Sequence, residues 1–415
     1  MTVFNPEWRV KINQTEVTSV TLVNLSITQG RQTIYQQTSA GYCQLTLITD
    51  PSTAVPYQIN DGITIEVKDS NGDFVNIFGG FITDVEIQVA YAGSINVHQE
   101  VRITSAGALA RLVRANYEGN LQSDYDGDQI LALLTELLLN NWNEVPQSLT
   151  WNNYEPTVTW ENAENTGLGE IDTPGDFELD SQNNLNDSIY NIAANVARSG
   201  LGYLYEDNQG RIGYADSTHR AQKLATQGFT IFDAREAVGA GLRITKRAGD
   251  VRNKISLLYG SSQNQSVTDS DDESISIYGQ LATTIPTFLK NQSDAETQAA
   301  FYLTLRAYPQ FEFPSIIFPL GNPEIGDVNR DALLAIEMGL PVRITNLPQN
   351  MESGVFEGFV EGWTWRASVN GLSLELNLSP LPYSLQAFKW LNVDGAEQWQ
   401  TISSILEWQD ATIVS

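Results

Sequence analysis

Two stretches of this chain, far apart in sequence, carry the same β pattern. Residues 62–67 (GITIEV) and 78–85 (FGGFITDV) flank one turn, and residues 339–344 (GLPVRI) and 356–363 (FEGFVEGW) flank another. The first strands align with an offset of 277 residues and the Phe-x-Gly-Phe blocks with an offset of 278. The one-residue difference lies in the connecting loop, where an insertion changes the free energy of folding little.

The repeated Phe-x-Gly-Phe block predicts a curved sheet. Phenylalanines three residues apart lie on opposite faces of a regular strand, so a glycine between them indicates a bulge or a sharp bend. Bends of this kind let a sheet close into a barrel. The repeat therefore predicts two related β-barrels in one chain. Chance similarity between amphipathic strands is the alternative explanation.

The pattern of elements predicts a mainly β fold with an α+β insertion. We expect a first β-barrel over residues 1–107, a mixed α/β insertion domain over 108–227, and a second β-barrel with one helix over 228–383. Residues 384–415 form a short C-terminal aromatic extension. A chain of 415 residues is long enough for several domains of ordinary size.

Several turns and helix ends can be placed from local signals. Residues 69–73 (DSNGD) predict a hairpin turn, because Asn-Gly supplies the positive φ that tight hairpins need. A calcium loop is disfavoured there, since its closing position is Gly80 and not a glutamate. A second hairpin is expected over residues 202–214, with its turn at 207–210. The polar, Asn-rich residues 152–186 are typical of long loops.

Three helices follow from apolar periodicity and capping signals. One runs through residues 130–139 with Asp128 as its cap, and Asp124 and Asp126 lie just before it, where capping explains them better than a cation site. Another covers residues 185–198 and ends at Gly200, and a third covers 293–307 with a capping box of Ser293 and Glu296.

Charge and cysteine content exclude several classes of function. The 23 basic and 50 acidic residues give a net charge of −27, which opposes sequence-specific binding to nucleic acid and docking on anionic lipid. Cys43 is the single cysteine and is expected to be a buried core residue, so no disulfide framework or cysteine zinc site is predicted. The longest apolar run, residues 130–139, is too short to cross a bilayer, and the N-terminus lacks the features of a signal peptide.

Enzymatic chemistry has few candidate groups, and we predict that the chain is not an enzyme and binds no cofactor. Histidines occur only at His98, expected at a surface or interface, and His219, near Asp216 and Ser217. A nucleophile and base so close in sequence rarely reach triad geometry. The alternative function is a β-rich glycan-binding or glycoside-hydrolysing protein, in which some of the nine tryptophans form sugar platforms and paired carboxylates cleave the bond.

Read in order, three groups of segments resemble the hub, or minor tail protein, of long-tailed phages, a family related in fold to the baseplate hub of contractile tails. Together they span most of residues 8–382, and their order and spacing carry the likeness more than any single motif. The segments are 8–13 and 23–31; 274–279, 294–300 and 308–309; and 356–365 and 374–380.

The resemblance implies a homotrimer in the virion, at a tail tip or baseplate, assembled in the host cytoplasm. Three chains with two tail-tube-like barrels each would place six barrels in a ring, which matches a sixfold tube on one side and a threefold tip on the other. The implied partners are a distal tail or tube protein, the tape-measure protein, and receptor-binding or fibre proteins. The ring would line the channel for the tape measure and for DNA ejection.

The C-terminal extension carries a regular tryptophan pattern. Trp390, Trp399 and Trp408 recur every nine residues, and a hairpin turn at Asp394-Gly395 would place Trp390 opposite Trp399. A turn at residues 403–404 would likewise place Trp399 opposite Trp408. We expect these tryptophans to bind the next tail component. The alternative is that they pack on the chain's own barrel.

Overall fold

The computed structural model describes most of the chain. No helix among the described residues is long and apolar enough to cross a membrane. The described residues are 4–18, 20–33, 36–50, 54–92, 96–138, 168–238, 242–309, 311–351, 354–368, 371–381, 388–389 and 411–412.

Long strands predominate towards the two ends of the chain, and shorter strands and helices lie between them. The strands are β1 (Trp8–Ile12), β2 (Thr15–Glu16), β3 (Thr21–Gly30), β4 (Tyr42–Thr49), β5 (Gly62–Lys68), β6 (Phe74–Ala92), β7 (Asn96–Ala106), β8 (Asn116–Leu121), β9 (Asp124–Tyr125), β10 (Leu168–Ile171), β11 (Glu178–Leu179), β12 (Gln182–Ser188), β13 (Tyr203–Glu206), β14 (Ile212–Ala215), β15 (Thr230–Asp233), β16 (Arg243–Lys246), β17 (Lys254–Tyr259), β18 (Gln265–Ser270), β19 (Ala282–Pro286), β20 (Phe311–Pro319), β21 (Pro341–Thr345), β22 (Phe356–Ser368), β23 (Gly371–Pro380), β24 (Phe388–Lys389) and β25 (Ala411–Thr412). The helices are α1 (Leu109–Arg114), α2 (Asp126–Leu138), α3 (Ile189–Ser199), α4 (His219–Gln227), α5 (Asp272–Tyr278), α6 (Gln292–Arg306) and α7 (Asp327–Leu334).

The two ends of the chain form arrays with the same strand order. The first array runs β3-β4-β7-β6-β5-β1, and the second runs β16-β20-β23-β22-β21-β15. Every neighbouring pair is antiparallel except β15 and β21, which are parallel where β1 and β5 are antiparallel. The mainly β fold with an α/β insertion is therefore confirmed.

Both arrays carry a bulge at the same place in the repeat. The register between β6 and β7 shifts at Thr83, and that between β22 and β23 shifts at Glu361, 278 residues later. The bulges thus follow the Phe-x-Gly-Phe block, whereas the glycine was expected to form them. The glycines serve close strand packing, since a Cβ on Gly80 would lie 2.3 Å from the carbonyl oxygen of Ala106, and one on Gly358 would lie 2.0 Å from that of Ser379.

The two arrays join along one seam. β3 of the first array pairs antiparallel with β22 of the second, from Gly30 opposite Gly362 to Asn24 opposite Ser368. This pairing makes one continuous sheet of 13 strands. One hydrophobic core runs through both arrays, and its largest fully buried side chains include Trp365, Phe78 and Phe318.

A second core lies under the insertion. It combines residues of α1, α2 and α3 with residues 255–299 from the segment between β16 and β20. Segment 228–383 therefore contributes to both cores. The described residues of that segment form three α-helices, not the one expected, because α5 and α7 have only 7 and 8 residues and give little periodic signal.

Both predicted hairpins are confirmed. Between β5 and β6, Asp69 Oδ1 accepts the backbone N–H of Asn71 at 2.9 Å and of Asp73 at 2.8 Å, and Gly72 has φ +93°. These bonds satisfy the Asp69 carboxylate as part of a plain turn. Between β13 and β14, the N–H of Gly210 donates to the carbonyl oxygen of Asp207 at 3.0 Å.

The three predicted helices are confirmed as α2, α3 and α6, but their predicted first residues were wrong. α2 begins at Asp126, so Asp128 is inside the helix and does not cap it. α3 begins at Ile189 with Ser188 as its N-cap, because residues 185–188, which were predicted as the start of the helix, belong to β12. α6 begins at Gln292 after Asn291, so Ser293 is already helical and the predicted capping box is absent.

Candidate functional site

Glu361 lies where the two arrays and the insertion meet. The bulge in β22 directs its side chain inward, where its exposure is 1%. The backbone of β3 approaches closely at this point, since a Cβ on Gly30 would lie 2.5 Å from the Cα of Gly362. Gly30 has φ +85°, a conformation that favours glycine. The end of β3 thereby brings Arg31 next to Glu361.

Two arginines from different parts of the fold bind this carboxylate. Arg31 Nε lies 2.7 Å from Glu361 Oε2, and Arg220 of α4 binds both oxygens, with Nη1 at 2.7 Å from Oε1 and Nη2 at 2.8 Å from Oε2. Ser379 Oγ of β23 donates to Oε1 at 2.5 Å. The carboxylate therefore ties the first array, the insertion and the second array together.

The charges of this cluster are removed from solvent. Burial alone would raise the pKa of Glu361, but Arg220 and Arg31 outweigh that effect and lower the pKa to about 2. Both guanidinium groups also lie over the ring of Tyr203 on β13, at 4.9 Å for Arg31 and 4.7 Å for Arg220. Removing one partner of such a buried group leaves the other charges uncompensated, which typically costs about 3–5 kcal/mol.

Glu206 makes a second connection between the insertion and the first array. It lies at the end of β13, and its oxygens accept the backbone N–H of Gly41 at 2.7 Å and of Leu109 at 2.5 Å. The second bond satisfies a free N–H at the start of α1, which has no side-chain cap of its own. Burial raises the pKa of Glu206 to about 7, although both backbone bonds favour the ionised form.

Asp126 organises the insertion. Its Oδ1 accepts the N–H of Asp176 at 2.9 Å and of Phe177 at 2.8 Å, and Tyr214 donates its hydroxyl to Oδ2. Burial raises the pKa of Asp126 to about 7. The sequence placed Asp126 among residues that serve the start of a helix, but its side chain joins three segments of the insertion instead.

Glu170, Asp172 and His219 form a small surface cluster. One ligand atom from each lies within 4.8 Å of the others, a geometry that could hold a metal ion. His219 Nδ1 lies 2.8 Å from Asp172 Oδ2, and the same oxygen accepts the N–H of Asp216 at 3.0 Å. Asp172 is therefore already engaged by protein groups, so the cluster by itself indicates no ion.

The residues weighed for catalysis lie in structural contacts. Ser217 Oγ donates to Asp176 Oδ2 at 2.6 Å, while His219 pairs with Asp172. His98 lies on β7, 3.9 Å from Glu100. Two of the nine tryptophans, Trp363 and Trp365, are buried in the core with exposures of 3% and 1%, so they offer no sugar platform.

The remaining residues that were singled out from the sequence are Cys43 and the three C-terminal tryptophans. Cys43 is fully buried, as expected, and burial raises the pKa of its thiol. Trp390, Trp399 and Trp408 lie outside the described residues. In the same extension, β24 and β25 pair in parallel, with Phe388 opposite Ala411.

The sequence did not reveal the Glu361 cluster. Arg31 and Arg220 lie 330 and 141 residues away from Glu361, so no local spacing links them. One signal was available: Glu361 is a charged residue in an otherwise apolar block, at the position that Thr83 occupies in the first copy. A charge introduced at a buried repeat position predicts a partner of opposite charge.

Comparison with known proteins finds solved structures that share the fold of this chain. No family model and no curated protein matches the chain. Among solved structures, the 43 kDa tail protein of prophage MuSo2 from Shewanella oneidensis is 10% identical, with a TM-score of 0.58 over 91% of this chain and 99% of that one. The tail protein from Neisseria meningitidis MC58 is 11% identical, with a TM-score of 0.58 over 90% and 96%. The chain therefore has the fold of these phage tail proteins.

Proposed function

We propose that this chain is a structural hub subunit of a phage tail tip or baseplate, in which three copies form a ring. The observation that carries the proposal is the presence of two arrays with one strand order in a single chain. A threefold ring of such chains presents six similar arrays. It can therefore adapt a sixfold tail tube on one side to a threefold tip on the other.

The buried connections suit a subunit that transmits force without changing shape. Glu361 joins both arrays to the insertion through two arginines, and Glu206 adds a second link. Networks of satisfied buried polar groups favour one arrangement of the parts they join. This supports a structural part of the virion over an enzyme.

The charge of the chain supports a channel wall. A net charge of −27 per chain gives a surface that repels phosphate. DNA and the tape-measure protein would pass through the ring, and DNA would not adhere to an acidic lumen. A distal tail or tube protein would bind one side of the ring, and receptor-binding or fibre proteins the other. The ring would assemble in the host cytoplasm.

We assign the C-terminal extension, with Trp390, Trp399 and Trp408, to the binding of the next tail component. Deleting residues 386–415 should leave the ring intact and abolish recruitment of that component in a co-purification assay. Recruitment at the normal level would contradict this assignment and favour packing of the tryptophans on the chain's own arrays.

End-on electron microscopy of the purified full-length protein tests the hub proposal. The expected image is a ring of six lobes whose averaged density has threefold symmetry, because the two arrays of a chain are similar but not identical. A ring with a different number of lobes, or particles without a central opening, would contradict the proposal.

A further inference from the structure

Strand β22 uses both of its edges over almost its whole length. On one edge lies β23. On the other, β21 pairs with residues 356–359 and β3 pairs with residues 362–368. The second half of that edge is therefore filled by a strand of the other array.

The equivalent strand of the first array has the same edge half empty. β5 pairs with residues 74–81 of β6, and β7 covers the opposite edge. Among the described residues, no strand pairs with the edge of β6 beyond Asp84. An open edge of this length exposes unpaired backbone N–H and C=O groups, which favour the addition of another strand.

Side chains at equivalent positions of β22 and β6 also differ in their exposure to solvent. Trp365 and Ala367 of β22 have exposures of 1% and 4%. The residues 278 positions earlier, Ile87 and Val89, have exposures of 51% and 45%. Apolar side chains that are buried at the seam of one copy are thus exposed on the other copy, where no second array covers them.

Strand β16 is the equivalent of β3 and also has an open edge. Arg243 pairs with Ser315 of β20, as Ser26 pairs with Gln44 of β4. β16 ends the sheet on its other side, among the residues that the structure describes. Each chain therefore contains one paired seam, between β3 and β22. Its described residues also present two unpaired edges, those of β16 and β6, which are equivalent to the two sides of that seam.

We propose that β16 of one chain pairs antiparallel with the open edge of β6 of a second copy, with Ile244 opposite Ile87 and Arg247 opposite Asp84. The register is that of the internal seam, in which Ser26 pairs with Arg366. Arg243 takes the place of Ser26, and Gln88 takes the place of Arg366. Thr245 then lies opposite Glu86.

The charges of the two edges are complementary. Asp84 and Glu86 are exposed on β6, and Arg243 and Arg247 are exposed on or next to β16. A pair of arginines stands out in a chain with 23 basic and 50 acidic residues. Opposite charges on facing strands stabilise the pairing and fix its register.

A contact between different surfaces of two copies continues from chain to chain, and it forms a closed ring when the rotation between neighbouring copies is a whole fraction of a turn. Filled internal seams would alternate with seams between chains, so that all arrays stand in equivalent surroundings. The inference rests on the proposed hub only for the number of copies, three, at which the ring closes.

Cysteine cross-linking tests the pairing directly. In the double variant Ile87→Cys/Ile244→Cys, mild oxidation of the full-length protein should give disulfide-linked dimers and then trimers on a non-reducing gel. Cys43 is fully buried and should not react. Either single variant, and the register-shifted pair Val89→Cys/Ile244→Cys, should cross-link far less.

A charge exchange provides a second readout that needs no new bond. Asp84→Arg alone and Arg247→Asp alone should each weaken assembly about tenfold, measured as the concentration at which the oligomer dissociates, and the double variant should restore it. All these positions are exposed, so the monomers should fold.

The outcomes separate this inference from the proposed function. A trimer that neither cross-links at the designed pair nor responds to the charge exchange would overturn the strand pairing and leave the hub proposal standing. A disulfide formed without an increase in mass would also overturn the pairing. A protein that stays monomeric at every concentration would overturn both.

Discussion

At the scale of single residues, the two copies of the repeat differ in the residue at the bulge. Glu361 replaces Thr83 at the bulge and binds Arg31 and Arg220 inside the protein. The alternation of strand residues is a local pattern and correctly predicts a buried Cys43. No local pattern predicts the Glu361 cluster, since tertiary folding alone brings its three residues together.

Replacing this carboxylate should destabilise the protein strongly. Glu361→Gln leaves Arg31 and Arg220 buried without a counter-charge, so we expect the free energy of unfolding to fall by about 3–5 kcal/mol in chemical denaturation. The matched control is Glu357→Gln on the same strand. Glu357 pairs with Arg343 at 2.6 Å, but both side chains are about one-third exposed, and the loss there should stay below about 1 kcal/mol. Equal losses would contradict the assigned role of Glu361.

At the scale of elements, long alternating strands and hairpin turns were predictable, while helix starts were not. The strands of the repeat and the turns at residues 69–73 and 207–210 follow from local periodicity and turn chemistry. β12 was predicted as the end of a loop and the start of a helix, because its polar sequence QNNLNDS has low β propensity. Pairing with β8 overrides that propensity.

The conserved geometry of the two arrays predicts equal effects at equivalent glycines. Gly80→Ala and Gly358→Ala each place a Cβ close to a carbonyl oxygen of the neighbouring strand, so each should lower the free energy of unfolding by about 1–3 kcal/mol. Gly371→Ala is the control, since its Cβ would lie 3.9 Å from the nearest atom, and it should change stability by less than about 0.5 kcal/mol. Tolerance at one repeat glycine and not at the other would argue against equivalent strand packing.

At the scale of the whole molecule, buried carboxyl groups predict how stability depends on pH. Burial raises the pKa of Asp126 and Glu206 to about 7 and that of Asp216 to about 6, all above their values in the unfolded chain. The folded state therefore binds protons more tightly, so its stability should rise as the pH falls from about 8 to about 5. Below that range, stability should fall as groups with lowered pKa, such as Glu361, become protonated.

Thermal unfolding across this pH range measures the effect. Glu206→Gln removes one titrating carboxyl and one acceptor, so it should lower the melting temperature and flatten its rise between about pH 8 and pH 5. Glu357→Gln serves as the control, because Glu357 pairs with Arg343 at a partly exposed site and not in the buried interior, and it should leave the slope unchanged. A melting temperature that falls steadily from pH 8 to pH 5 would refute the account of the buried carboxyls.

In the proposed hub, two equivalent arrays in each chain build a threefold ring. The most direct test is the mass of the purified full-length protein in solution, measured by light scattering over a range of concentrations. A threefold ring should give a species of three times 45.9 kDa. A monomer at every concentration, or a closed oligomer of any other number, would contradict it.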